Sequence, residues 1–472
     1  MATFLIASAG VTVTGTTDKD TFEIISPASA VTVMGLDEDD TVKLSASSLQ
    51  DSFIKLGAGD DTITTAVVGD LKSSTINGGP DDDTITLDLQ GATTVSTTLR
   101  GNEGKDTFTL TLSGLDATAS SLDLGGNAGD DTIEIFSNTT ALEFAIGGGA
   151  DDDMIELDSG AYINSTIAGG FGEDYITADA DFDGSLIRLG QGSDEGTDSA
   201  DTYVGDGLFT DSSIKGGGGD DSIELSGINL TSSVIEGNAG DDTIMISAAT
   251  IYSAMELRGG AGKDTITFSG AATDQSADIF GGEGADVINV TNGTGMQIIG
   301  GLGADSATWE ASGAHYSVAF GDSTQSDMDT IAMSGALTTE DVTFEFSDVN
   351  VGINDDKTYS AVVFDGATAN LTVLSGGIAD LSGIASDMTA AVGYLTQVVS
   401  ANASVGFVLE GAGQGSTTDD DDLYFFVKGS DADTVVELTD AIVVGSVLGS
   451  GVGQVALSKT TDFAATTITL TV

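Results

Sequence analysis

A short glycine- and aspartate-rich unit recurs along almost three quarters of the 472-residue chain and constrains the fold more than any other feature. Clear copies run from Gly126 to Ile133 and from Gly237 to Ile244, in the frame G-[GN]-x-G-x-D, then Thr or Ser, then a branched apolar residue. Units repeated at nearly constant spacing indicate one supersecondary element used many times. The last aspartates of the successive units are Asp20, Asp40, Asp61, Asp83, Asp106, Asp131, Asp153, Asp174, Asp201, Asp221, Asp242, Asp264, Asp286, Asp305 and Asp329.

The spacing and the apolar residues between the units predict the fold class. Neighbouring aspartates mostly differ by 20 to 23 positions, so one coil takes about 21 or 22 residues. Ile133 and Ile135 alternate with polar residues after one aspartate, and Leu122 and Leu124 do so before the glycines of the same unit. This alternation is typical of strands with one buried face. Such coils must stack to bury that face, so we predict an all-β parallel β-solenoid.

The chemistry of the unit points to a metal. Glycines allow positive φ and leave carbonyl oxygens accessible in a tight turn, and the closing aspartate adds a carboxylate. Hard oxygen ligands on a flexible turn suit calcium better than softer metals. We therefore expect the ligands to come from these positions: Asp61, Asp83, Asp106, Gly126, Gly129, Asp131, Asp153, Gly169, Gly172, Asp174, Gly216, Gly219, Asp221, Gly237, Gly240, Asp242, Gly259, Gly262, Asp264, Gly281, Gly284, Asp286 and Asp305.

The frame resembles the Gly-Gly-x-Gly-x-Asp repeat of the RTX (hemolysin-type calcium-binding) family. The resemblance implies a parallel β-roll with calcium held between the turns of successive coils. This chain departs from the usual pattern, because only one end of each coil has a Gly/Asp turn. The other end is Ser/Thr-rich, as in 72–75 and 211–213, and we expect a solvated turn there. One column of calcium, about one ion per coil, is therefore expected. The doubled acids, such as Asp130-Asp131, are expected to form a solvated acidic face rather than a second ordered site.

Charge and composition restrict the partners. The 13 basic and 75 acidic residues give a net charge of −62, which disfavours nucleic acid because phosphate binding needs a basic surface. With 40% hydrophobic residues the chain is expected to fold, with cations relieving its self-repulsion. There is no cysteine, so disulfides and thiolate metal sites are excluded. No stretch has the length of a transmembrane helix.

We expect the protein not to be an enzyme. Its only histidine is His315, so an HExxH zinc site is excluded, and no G-x-S-x-G motif accompanies this residue. A glycosidase-type carboxylate pair remains open by residue type, but the few basic residues disfavour an acidic polysaccharide as substrate. Trp309 and Tyr316 are expected to plug the end of the solenoid core rather than to bind sugar.

The pattern changes near residue 336, which predicts two domains: a calcium-binding solenoid over 1–335 and a smaller β-rich domain over 336–472. Positions 384–400 carry apolar residues at helical spacing, so one helix is predicted there. Residues 385–447 resemble the C-terminal module of many RTX exoproteins, and 465–472 is similar to a type I secretion signal. The resemblance implies export of Gram-negative type without an N-terminal signal peptide, which the first residues do not provide.

These features together predict a non-catalytic, calcium-dependent extracellular protein that folds on secretion and self-assembles into a surface layer or a filament. Its expected partners are further copies of itself and a cell-surface polysaccharide. A calcium-dependent adhesin or matrix-binding module is the alternative, and a polysaccharide-degrading enzyme is a third, weaker one.

Overall fold

A computed structural model gives the fold of residues 1–310, apart from 47, 66–69, 91, 93, 116–119, 192–197, 228, 250, 271–276 and 292–295. Beyond 310 it describes Leu395 and the backbone of the strands named below. Internal contacts divide the chain into two compact units, Met1–Gly240 and Asp241–Val472. Each unit is described by itself.

The first unit is a parallel β-solenoid, as predicted. One sheet contains the strands that follow the repeat aspartates: Thr3–Ile6, Thr21–Ile24, Thr41–Leu44, Thr62–Thr65, Thr84–Gln90, Thr107–Ser113, Thr132–Ser137, Met154–Asp158, Tyr175–Ala178, Thr202–Gly205 and Ser222–Ser226. The second sheet leads into the glycines: Thr12–Thr14, Thr32–Asp37, Phe53–Ala58, Leu71–Pro80, Val95–Glu103, Ser121–Ala128, Thr140–Ala150, Thr166–Phe171, Leu186–Gly190, Ser213–Gly218 and Val234–Ala239. A third, shorter sheet joins them in some coils: Ala28–Ser29, Leu49–Gln50, Ala161–Ile163, Asp181–Asp183, Phe209–Thr210 and Asn229–Thr231.

The core follows the alternation read from the sequence. Ile133 pairs with Ile155, and Ile155 pairs with Ile176, in parallel register. All three side chains are buried, as are Leu122 and Leu124 on the second sheet. Equivalent apolar side chains therefore stack from coil to coil, and each coil covers the exposed edge of the coil before it.

A buried serine ladder forms the corner before the second sheet. The Oγ atom of Ser185 accepts a hydrogen bond from the Ser165 N–H at 3.0 Å and donates one to the Tyr162 carbonyl at 3.0 Å. The residues before the other ladder serines that the structure describes turn the chain with positive φ, for example Asn164 before Ser165 at 49°. The expectation of a solvated Ser/Thr turn was wrong for these serines, because their hydroxyls replace backbone pairing that the corner interrupts. The ladder serines are Ser52, Ser74, Ser120, Ser165, Ser185, Ser212 and Ser233, all at most 4% exposed.

The second unit begins with coils of the same kind. Its first sheet contains Thr243–Ala249, Thr265–Gly270, Val287–Thr291, Ser306–Glu310 and Asp329–Ser334. Its second contains Met255–Ala261, Ala277–Glu283, Met296–Leu302, Tyr316–Ala319 and Val342–Phe346, and Ile251–Ser253 is a short connecting strand. Ile266 and Phe268 are buried and pair in parallel with Ile288 and Val290.

The remaining strands of the second unit are partly antiparallel. They are Val362–Phe364, Ala367–Ala369, Thr372–Val373, Ala379–Asp380, Ala403–Val408, Leu423–Lys428, Asp433–Leu438, Gln454–Ser458 and Thr466–Thr471. Strand Thr466–Thr471 pairs antiparallel with Val342–Phe346 and with Gln454–Ser458. The strands predicted near 407, 423 and 434 are confirmed.

Several predictions fall outside the described residues. They concern the boundary at 335/336, His315, the side chains of Trp309 and Tyr316, and the helix over 384–400, of which only the buried, helical Leu395 is described. Among the described residues, no helix is long and apolar enough to cross a membrane.

Candidate metal-binding column

The repeat aspartates form a buried column along the turn that joins the second sheet to the first. From Asp20 to Asp305 their side chains are at most 3% exposed. From Asp40 to Asp221 in the first unit, and from Asp264 to Asp305 in the second, each Oδ1 atom accepts a hydrogen bond from the backbone N–H of the aspartate one coil earlier. The Asp106 N–H donates to Asp131 Oδ1 at 2.8 Å, and the Asp131 N–H donates to Asp153 Oδ1 at 2.8 Å. One oxygen of each of these carboxylates, Oδ1, therefore satisfies a backbone N–H of the neighbouring turn. We call this row of aspartates the aspartate column.

The second oxygen of these carboxylates has no protein partner. In most of the column the Oδ2 atom is buried and accepts no hydrogen bond from the protein, which is costly for a charged group. Buried carboxylates are normally paired, protonated or bound to a metal. The aspartates with such an Oδ2 are Asp40, Asp61, Asp83, Asp106, Asp131, Asp153, Asp174 and Asp201 in the first unit, and Asp264 and Asp286 in the second.

At most of these turns a glycine stands five positions before the aspartate and makes room for this oxygen, whereas Leu56 holds that position before Asp61. A Cβ atom on Gly169 would lie 2.3 Å from Asp174 Oδ2 and 2.4 Å from the carbonyl oxygen of Leu189, in the next coil. These two distances place the two oxygens no more than 4.7 Å apart (2.3 + 2.4). A carboxylate oxygen and a carbonyl oxygen of the next coil thus both lie close to this glycine, as they do at Gly126, Gly259 and Gly281, and both oxygens are acceptors.

The glycine two positions before the aspartate has a different role. Gly129 has φ of 115°, where a side chain is strained, and its Cβ would lie 2.1 Å from the Gly104 carbonyl oxygen of the preceding coil. Close packing of the turn therefore favours glycine at both positions whether or not a metal binds, although Asp151 takes the second position before Asp153 with φ of 76°. Positive φ is shared by Gly129, Gly172, Gly219, Gly240, Gly262 and Gly284.

Burial raises the pKa of most column aspartates above the usual value near 4, whereas hydrogen bonds from Thr16 and Ala2 to Asp20 outweigh burial and lower the pKa of that carboxyl. The pKa rises to about 8 for Asp83 and Asp153 and to about 7 for Asp131. Neighbouring carboxylates of the column contribute as well, and for Asp153 they are Asp174 and Asp131. The backbone hydrogen bond to each carboxylate opposes these effects and is too weak to cancel them. The charged column is therefore unfavourable without a counter-charge.

A second row of acids follows the column on the outside of the turn. Asp60, Asp130 and Asp152 are exposed. Their hydrogen bonds run in the opposite direction along the stack, because each Oδ1 accepts an N–H from the next coil. The Glu173 N–H donates to Asp152 Oδ1 at 2.9 Å, and the Asp152 N–H donates to Asp130 Oδ1 at 3.3 Å. The doubled acids are thus solvent-exposed, as expected, and also hold adjacent turns together.

The donor set fits calcium in kind. The coils of the ten aspartates named above each offer one buried carboxylate oxygen without a protein partner, and at Gly169 a carbonyl oxygen lies close to it. Both are hard ligands of the type calcium prefers. Among the described residues, no three acidic or histidine side chains gather in one metal-binding cluster. A calcium ion at the column would therefore take most of its six to eight ligands from backbone carbonyls and water.

The structure places the predicted ligands as follows. Asp61 to Asp221, with Gly126 to Gly240, lie in the first unit, and Asp242 to Asp305, with Gly259 to Gly284, lie in the second. The column also contains two aspartates that the list of predicted ligands lacks. Asp40 and Asp201 accept the N–H groups of Asp20 and Asp174 at 2.8 and 2.7 Å. The regular spacing of the repeat aspartates, which includes Asp40 and Asp201, is the sequence feature that could have predicted them as ligands.

The neighbouring glycines Gly147 and Gly148 allow a matched test of how closely the turn packs against the aspartate column. A Cβ on Gly148 would lie 2.1 Å from Asp153 Oδ2, whereas a Cβ on Gly147 would meet nothing nearer than 4.0 Å. Neither glycine has positive φ. We expect Gly148→Ala to lower the free energy of unfolding by about 3 kcal/mol through overpacking. Gly147→Ala is expected to change it by less than about 1 kcal/mol. Equal effects in chemical denaturation with calcium present would contradict the proposed geometry.

No protein-family model matches the chain, and no curated protein matches it in sequence.

Proposed function

We propose that this protein is a non-catalytic, calcium-dependent extracellular structural protein, which folds when it meets calcium outside the cell and assembles with further copies of itself into a surface layer or filament. The observation that carries the proposal is the aspartate column, with its buried Oδ2 atoms that have no protein partner in successive coils.

Electrostatics supports a cation in this column. Two unit charges about 4.8 Å apart, the distance between stacked strands, repel by roughly 3.5 kcal/mol in an effective dielectric constant of about 20. This repulsion repeats from coil to coil, and the net charge of −62 adds to it. Calcium between the turns would convert the repulsion into coordination, so that metal binding and folding become one process. A chain unfolded at low calcium would remain competent for export.

The first coil supports self-assembly. Among the described strands, Thr3–Ile6 pairs only with Thr21–Ile24, so its other edge offers free backbone groups. Leu5 and Met1 beside it are 63% and 86% exposed. An unprotected strand edge with apolar side chains is a template for pairing with another chain.

Particle growth after addition of calcium tests this function. The full chain, purified without calcium, is expected to form ordered sheets or filaments at about 5 mM calcium, within the range where extracellular modules bind it. Light scattering and electron microscopy would follow the growth. Leu5→Lys should reduce assembly, because a charge on an edge strand opposes edge-to-edge pairing. Phe53→Lys is the matched control, because this side chain is 39% exposed in an interior coil and begins its strand at the end away from the glycine turn.

A compact, monodisperse protein in calcium would reject self-assembly and favour the adhesin or matrix-binding alternative. Loss of assembly in both variants would show that general surface charge, and not the strand edge, controls association.

A further inference from the structure

Three successive strands of the second sheet in the first unit lack one extra residue that the coils on either side contain. Lys72 pairs with Ser96 and Ser74 pairs with Thr97, so Ser73 is an extra residue with no counterpart in the next coil. The next coil has an extra residue again, at Asn164. Leu142 pairs with Tyr162 and Ala145 pairs with Thr166, so the step of three residues in one strand faces a step of four in the next. The strands without it are Val95–Glu103, Ser121–Ala128 and Thr140–Ala150.

The strands without the extra residue line a recess of about 670 Å³ on the surface of the first unit. Ser73 and Asn164, both exposed and with φ of 48° and 49°, stand at its two ends. Between them lie four steps from coil to coil, so the recess is about 19 Å long at about 4.8 Å per step. Its volume lies within the range of about 300–1,000 Å³ found for ligand sites.

The floor of the recess is polar and regularly spaced. One row along the stack is Thr75, Thr98, Asp123, Ala145 and Thr166, each paired with the next in parallel register. A second row is Ser96, Ser121 and Glu143. The apolar side chains beneath, Leu122 and Phe144, are each 2% exposed. The recess thus presents mainly hydroxyls and carboxylates, with a smaller share of apolar surface between them.

We propose that this recess binds a neutral, polyhydroxylated chain, that is, an oligosaccharide segment of about recess length. Hydroxyl rows can both donate and accept hydrogen bonds, as sugar hydroxyls require. An extended peptide is disfavoured because the floor strands are already paired on both sides and offer no free edge. Anionic chains are disfavoured by Asp123 and Glu143, and the nearby Arg100 is engaged by Asp123 at 2.6 Å.

The site is independent of the aspartate column, because it lies at the serine corner, at the other end of the second sheet. The proposal therefore does not rest on self-assembly or on calcium coordination. Calcium enters its test only as a condition under which the chain is folded.

Binding of neutral tetrasaccharides to the folded full chain tests the proposal. Cellotetraose, laminaritetraose, maltotetraose, xylotetraose and chitotetraose would be titrated by calorimetry in calcium, with folding verified by circular dichroism. At least one is expected to bind. Thr98→Tyr would fill the floor and weaken binding by about tenfold or more, equivalent to about 1.4 kcal/mol. Thr86→Tyr, on an outward position of the first sheet, is the matched control and should change affinity by less than about twofold.

Ser96→Tyr serves as a second filling variant if Thr98→Tyr does not fold. The proposal is overturned if none of the five sugars binds at about 10 mM, a concentration above ordinary weak affinities. It is also overturned if filling the recess leaves affinity unchanged, or if tetragalacturonate or an extended tetrapeptide binds more tightly than every neutral sugar.

Discussion

Without calcium at pH 8 the full chain is expected to be largely unfolded, and about 5 mM calcium is expected to restore a β-type circular dichroism spectrum cooperatively. Most column aspartates have a pKa of about 7 or 8 in the folded state, as Asp61 and Asp201 show, so at this pH folding without a cation requires adjacent buried charges. With calcium about tenfold above its Kd, each site stabilises the fold by about 1.4 kcal/mol, and the sites act together.

Magnesium at the same concentration is the control for this prediction. It is expected to be much less effective, because it demands near-ideal octahedral geometry and gives up its water reluctantly. A spectrum of β-structure that persists in chelator at pH 8 would contradict calcium-dependent folding, and with it the proposed function. Far-UV circular dichroism and analytical ultracentrifugation would together separate folding from association.

The metal-free chain is expected to be more stable at pH 5 than at pH 8. In the unfolded state the aspartates titrate near pH 4, whereas in the column the pKa reaches about 7 for Asp106 and about 8 for Asp83. Between these values the folded state holds more protons, so its stability falls as pH rises. Below about pH 4 both states are protonated and the stability is fully present, and by about pH 8 it is lost. A proton on Oδ2 could then be donated to the facing carbonyl oxygen.

The size of this effect makes it measurable. Each carboxyl that titrates changes the free energy of unfolding by on the order of 1.4 kcal/mol per pH unit, so even a few of them give several kcal/mol. Thermal melts in chelator from pH 4 to pH 8 would measure it. Asp131→Asn keeps the acceptor for the Asp106 N–H and removes one titrating group, so it should flatten the pH dependence and weaken calcium binding.

Asp130→Asn is the matched control, because Asp130 is the exposed neighbour of Asp131 in the outer row. It should flatten the pH dependence of the metal-free chain less than Asp131→Asn does, because the raised pKa of Asp131 comes mainly from burial and only in smaller part from the charge of Asp130. If stability in chelator rises from pH 5 to pH 8, the column is not the source of the instability.

The glycines of the repeat have two possible explanations, calcium binding and close packing of the turns. The two explanations make different predictions. The glycines before Asp131 and Asp174 are required by the approach of the carboxylate and of the neighbouring backbone alone. Glycine spacing is therefore evidence for the turn geometry, whereas the unpaired Oδ2 atoms are the evidence for a cation. Only the calcium and pH experiments address the second point.

The sequence by itself determined the solenoid. Each coil contacts mainly its neighbours, so a period of about 21 or 22 residues and the alternation around Ile133 or Ile155 are enough to predict the strands, their inward faces and the stacking. Because the spacing is nearly constant, it also predicts that the repeat aspartates lie at the equivalent turn of successive coils. Nothing in this inference required knowledge of distant contacts.

Only the tertiary structure decided how the turns are used. An aspartate that points inward is held by the N–H of the preceding coil, as Asp153 is by Asp131, and this is a contact between coils. The burial of Ser185 depends likewise on donors and acceptors in neighbouring coils. The recess arises because one coil has a residue that the next coil lacks, as at Ser73. The register describes how two strands pair, so the sequence of one coil alone does not reveal that the next coil lacks a residue.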